Sequence, residues 1–107
     1  MEEKRQFFRA KRPILVYYQV KGDSAPAKAS ETKDISSGGM CFVSARPFDK
    51  DTVLSIEIHL PISHDQIDAC GKVIESQLIG EGKGYNTRLA FVDTDPISLI
   101  RLQREIT

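Results

Sequence analysis

From Thr52 to Pro61, Leu54, Ile56, Ile58 and Leu60 alternate with Ser55, Glu57 and His59. This is the two-residue repeat of a strand with one face buried and one in water. Pro13 to Val20 is rich in β-branched and aromatic residues, and Gly39 to Ala45 is short and apolar. Tyr85 to Asp93 sets Tyr85, Leu89 and Phe91 on one face. All three segments predict strands, and Ala27 to Ile35 and Asp68 to Ile79 complete the set. Turn-forming residues recur at the spacing of short antiparallel strands, with Gly22 to Pro26 and Gly80 to Gly84 read as loops. That spacing favours an antiparallel sandwich or small barrel over alternating βαβ units, with the sheet closing on itself.

The period changes at the C-terminal end. Asp95 before Pro96 is a helix start, because its carboxylate accepts orphan amide hydrogens and proline fits the first turn. A helix over 96–106 follows, and Ile97, Leu99, Ile100, Leu102 and Ile106 are expected to cover an opening or edge of the barrel. Arg101 and Arg104 are expected at the surface, near the helix end whose dipole favours cations.

At 107 residues, 40% of them apolar, the chain has the length of one domain and enough apolar content to fold. Lys plus Arg and Asp plus Glu number 15 each. Zero net charge disfavours broad attraction to polyanions, so a basic site must be local. The first 12 residues hold Lys4, Arg5, Arg9, Lys11 and Arg12 against Glu2 and Glu3, whereas the stretch from Asp34 to Asp68 is acidic. Residues 1–12 are therefore expected to form a flexible basic arm on a barrel of residues 13–107. The longest apolar run, Ile14 to Tyr18, is far too short to span a bilayer, and no secretory signal is visible at the start. A cytoplasmic location is expected. Cys41 and Cys70 are too few for a disulfide scaffold and are expected as small buried side chains.

Two short motifs carry candidate chemistry. Arg5 and Arg9 form an Arg-x-x-x-Arg pair with Lys4 just before it. Guanidinium groups are permanently charged planar forks that hold phosphate bidentately, stack on a base, or donate to guanine O6 and N7. Two arginines at this spacing also occur on ordinary solvated surfaces. Asp34-Ile35-Ser36-Ser37-Gly38-Gly39, between the second and third strands, has the form Asp-x-Ser-x-x-Gly. A carboxylate suits the donor edge of guanine, a serine hydroxyl donates or accepts, and glycine admits a close approach of backbone. The same residues also suit a polar turn in which Asp34 and Ser36 bond neighbouring backbone and Gly38 or Gly39 supplies a positive φ.

Taken together and in this order, Lys4-Arg5-Gln6-Phe7-Phe8-Arg9 and Asp34-Ile35-Ser36-Ser37-Gly38-Gly39, followed by barrel-like strands and one helix, resemble the PilZ domain family over nearly the whole chain. The resemblance implies a six-stranded antiparallel β-barrel with one C-terminal α-helix. It also implies non-catalytic binding of the bacterial second messenger cyclic di-GMP, with no cofactor or metal. In that reading Arg5 and Arg9 grip phosphate and the guanine Hoogsteen edge, and Asp34 accepts from guanine nitrogens. Ser36 adds a polar contact, Gly38 and Gly39 keep the turn open, and Lys4 helps hold a second, stacked ligand. Binding would order the arm, with Phe7 and Phe8 pinning it, and change the surface shown to a downstream protein partner; a homodimer is compatible with this. Lys4 stands where many members have another arginine, and Arg88-Leu89-Ala90-Phe91 replaces a common Gly-x-x-Phe.

Two other functions fit the same chain. A PilZ-like interaction module without nucleotide binding keeps the barrel but needs an exposed apolar patch. A small barrel binding single-stranded nucleic acid would use Phe7 and Phe8 as stacking platforms, which the zero net charge disfavours. Catalysis has no support: His59, His64, Cys41 and Cys70 match no zinc spacing, and Gly80 to Gly84 lacks the pattern of a phosphate loop.

Overall fold

A computed structural model describes residues 10–107. Six strands, β1 (Leu15–Val20), β2 (Lys28–Ile35), β3 (Gly39–Ser44), β4 (Val53–His59), β5 (Gln66–Gly80) and β6 (Gly84–Val92), precede one helix, α1 (Pro96–Ile106). Every pairing is antiparallel, and the sheet closes in the order β1-β2-β3-β6-β5-β4. The expected barrel and helix are both present. The boundaries shift by up to two residues at an end: β5 runs from Gln66 and not from Asp68, and β4 ends at His59 and not at Pro61. No described helix is long and apolar enough to cross a membrane.

Alternation explains the wall. Leu54, Ile56 and Ile58 of β4 point inward beside Val16 and Tyr18 of β1, Met40 and Phe42 of β3, and Ile67, Ala69 and Val73 of β5. Tyr18 packs its ring against Phe42, with centroids 4.9 Å apart, and its hydroxyl accepts from the Ala45 amide at 2.9 Å. The core thus gains aromatic contact without stranding the polar tip. Buried hydroxyls are hydrogen-bonded, and two of them belong to one linked set. Thr87 lies 2.7 Å from both the Ser44 and Ser76 hydroxyls, and Ser44 donates to the Arg46 carbonyl at 2.8 Å.

Two strands break the alternation. In β2, Thr32 and Ile35 are both buried although three positions apart, because the pairing with β3 shifts register between Thr32 and Asp34. Strict alternation would have placed Asp34 on the interior face with Thr32; the bulge turns it to the outside. A matching shift between Val73 and Glu75 in β5 turns Glu75 outward.

Asp95 caps α1 as expected, its Oδ1 accepting from the Ile97 amide at 2.9 Å, with Pro96 in the first turn. The apolar side of the helix is narrower than expected. Leu102 and Ile106 join the core, whereas Ile97 is 65% exposed and Ile100 53%. At about 100° per residue, Leu99, Leu102 and Ile106 share one stripe, and Ile97 and Ile100 fall outside it. The last turn is anchored by polar contacts instead: Glu105 accepts from the Ile62 and Ser63 amides at 3.0 and 3.3 Å, and Arg12 donates to the Glu105 carbonyl at 2.6 Å. Arg101 pairs with Asp65. Cys41 is buried, but Cys70 is only partly so, which corrects the expectation for the second thiol.

Candidate functional site

The turn between β2 and β3 is built from its own polar groups. The Ser36 hydroxyl, fully buried, accepts from the Gly38 amide at 3.0 Å, and the Ser36 amide donates to the Gly39 carbonyl at 2.9 Å. The turn is fastened to the last strand by the Phe91 amide, which donates to the Gly38 carbonyl at 2.9 Å. Gly39 does not lie in the left-handed region; what requires glycine there is β6. A Cβ on Gly39 would stand 2.2 Å from the Leu89 carbonyl oxygen. Ser36 and Gly39 therefore set the shape of the turn and its distance from β6.

Lys4, Arg5 and Arg9 lie outside the described residues, as do Phe7 and Phe8. Their attachment point is described. Ala10 forms an isolated antiparallel bridge to Ile35, with its amide 2.8 Å from the Ile35 carbonyl and the reciprocal bond at 3.0 Å. The residue that follows Arg9 is thereby held beside the residue between Asp34 and Ser36, so the two motifs join the barrel at one place. Of the expected arm, residues 10–12 are docked by this bridge and by the Arg12 contact to α1.

Asp34 is half-buried and opens onto a cleft of about 190 Å³ on the outer wall, lined also by Lys33, Cys41, Glu75, Gln77, Asn86 and Arg88. The ladder explains why these residues meet. Asp34 pairs with Cys41, Cys41 with Arg88, and Arg88 with Glu75, forming one row across four strands. Both ends of the row are residues that bulges turn outward. Arg88 Nε lies 3.7 Å from Glu75, an ion pair more than 40% exposed on each side and so of small energetic weight. The short motifs point to Asp34, but nothing in local spacing points to Asn86, Glu75 or Arg88 as its neighbours. Their proximity depends on strand order and on two bulges.

On the other side of the turn, Ser37 and Gly38 border a groove completed by Phe91, Leu99, Ile100 and Gln103. A larger cavity, about 520 Å³, lies over β1, β4 and β5 and contains Tyr17, Glu57, Asp68, Asp93 and Asp95. Its four carboxylates would repel a phosphate-bearing ligand.

Comparison with known proteins agrees with this architecture. The inhibitor of motility MotI/DgrA of Bacillus subtilis superposes with a TM-score of 0.81 at 20% identity, covering 98% of this chain and 50% of that one. This chain thus spans about half the length of that protein. The PilZ domain of YcgR from Escherichia coli, solved with c-di-GMP, superposes with a TM-score of 0.67 at 20% identity, covering 97% of this chain and 89% of that one. No curated protein matches. The family model of the PilZ domain matches residues 3–107, which include both motifs and every strand, and the chain belongs to the PilZ domain family.

Proposed function

We propose that this protein is a non-catalytic receptor for cyclic di-GMP that passes the signal to a protein partner. The supporting observation is the bridge between Ala10 and Ile35, which joins the segment carrying Arg5 and Arg9 to the barrel beside Asp34. Arg5 and Arg9 supply cationic forks for the phosphates and guanine O6 and N7, with Lys4 adding charge for a second, stacked ligand. Asp34 accepts from guanine N1 and N2. Ser36, Gly38 and Gly39 hold the turn in which Asp34 is presented.

The arm carries five basic residues against two acidic ones, and a ligand with two phosphates relieves their mutual repulsion. Binding then orders the arm against the outer wall, and the change is presented to a partner near the groove by α1. Calorimetric titration with cyclic di-GMP, with GTP and cyclic AMP as controls, tests the reading. Saturable heat is expected for cyclic di-GMP alone, and Arg5→Ala, Arg9→Ala and Asp34→Ala should each weaken it roughly tenfold or more at nearly unchanged Tm. A flat titration of the unmodified protein overturns the reading and leaves an interaction module without nucleotide binding.

A further inference from the structure

One polar atom in the cleft stands apart from its neighbours. Asn86 Oδ1 is sealed from solvent and has no hydrogen-bond partner, alone among the side-chain oxygens and nitrogens of the described residues. Asn86 lies on the outer face of β6, paired with Val43 of β3 and Gln77 of β5. Neither neighbour serves it: valine has no side-chain donor, and the Gln77 amide is directed to Glu75 at 3.5 Å. Arg88, the nearest cation on the same strand face, also turns to Glu75. A buried acceptor without a donor is costly, and native proteins keep few of them without a functional reason.

From these relations we infer that Asn86, which lines the cleft, is a specificity-determining residue of the ligand site, its side-chain amide turning on binding so that the sealed carbonyl accepts a hydrogen bond from a guanine amine or ring N–H of the bound dinucleotide. The inference rests on the cyclic di-GMP reading of the cleft and extends it from Asp34 across the barrel wall. Asn86 lies two strands from Asp34 and two residues along from Arg88. At about 4.8 Å between strands and 3.4 Å per residue, that is roughly 12 Å between backbones. The polar edge of one base does not cover that span, but a dinucleotide offers donors at both ends. An acceptor at this place favours guanine, whose N1–H and N2 amine are two adjacent donors on one edge, over adenine, whose N6 amine is a single donor beside a ring N1 that repels an acceptor.

Asn86→Val tests the assignment, because valine suits a strand and removes the stranded oxygen; Asn86→Ala serves if the branched side chain crowds the cleft. Each is titrated with cyclic di-GMP and cyclic di-AMP, and melted without ligand. The expected result is cyclic di-GMP affinity lowered tenfold or more, narrower discrimination against cyclic di-AMP, and a Tm equal to or above that of the unmodified protein. Unmodified protein that binds cyclic di-GMP alongside variants that bind equally well would overturn the inference and make Asn86 a packing defect. Weaker binding with a lowered Tm would also overturn it, assigning Asn86 to the fold. If the unmodified protein gives no heat with cyclic di-GMP, the receptor reading itself fails, and this inference with it.

Discussion

Adding a single methyl group at Gly39 tests how closely the motif turn and the barrel depend on each other. A Cβ there meets the Leu89 carbonyl oxygen at 2.2 Å, the Ala90 Cα at 3.1 Å and the Leu89 carbonyl carbon at 3.2 Å, all of them backbone atoms. Ordinary contact begins at 3.4 Å, so β3 and β6 must separate locally by about 1.2 Å. The Phe91–Gly38 bond, now 2.9 Å, would then stretch beyond hydrogen-bonding range, and the Ser36–Gly39 bond, also 2.9 Å, would be strained with it. Two buried backbone bonds lost or weakened cost about 2–5 kcal/mol. For a domain of this size that lowers Tm by about 10–25 °C. Gly71→Ala is the control: the three atoms nearest its Cβ, at 2.5, 2.7 and 3.0 Å, all belong to the Leu89 side chain, which can change rotamer where a backbone carbonyl cannot. Thermal melts by circular dichroism should therefore rank Gly39→Ala well below Gly71→Ala. A Gly39→Ala protein melting within about 3 °C of the unmodified chain, or above Gly71→Ala, would refute the reasoning.

Because the Ser44 proton is committed to the Arg46 carbonyl, Thr87 must donate to Ser44 and Ser76 to Thr87. Thr87→Val keeps the shape and strands the Ser76 proton, so urea denaturation should show a loss of about 1–3 kcal/mol with unchanged m-value. Asp95→Ala removes the bond to the Ile97 amide and should cost about 1 kcal/mol, read in the same assay. Desolvation is the largest single influence and pushes the Glu105 carboxyl up, but the Ile62 and Ser63 amides, the Ser63 hydroxyl and the Arg12 charge together outweigh it and hold it below its ordinary 4.5. A depressed carboxylate contributes stability that is complete above the ordinary value and lost as pH falls through the lower folded one. Hydrogen exchange should accordingly show protection of the Ile62 and Ser63 amides that persists at pH 4.5 and is lost as pH falls through the lower folded value, and Glu105→Gln should abolish that change in protection.

Much of this architecture can be read from residue order, and the parts that cannot share a cause. Leu54, Ile56 and Ile58 declare β4 because local alternation and tertiary burial agree there. Asp95 and Pro96 mark the helix start because capping is a local interaction. Asp34 was identifiable as a candidate by its motif, yet its outward direction depends on a bulge that no residue in β2 announces. Gly39 was expected to serve the turn's openness; its requirement comes from a carbonyl fifty residues away in sequence. Asn86 and Glu75 enter the cleft only through the strand order, and that order is a long-range property of the closed sheet.

The contact between Arg12 and the Glu105 carbonyl has a mechanical consequence. Arg12 sits between the first strand and the cationic leader, and it is clipped to the final turn of α1, which is itself clipped to the loop at Ile62 and Ser63. Tension on that leader therefore meets two anchors in turn, the Ala10–Ile35 bridge on the wall and the Arg12 clip on the helix. Ile97 and Ile100 ride on that same helix facing water, so the second anchor and a pair of greasy residues belong to one rigid rod.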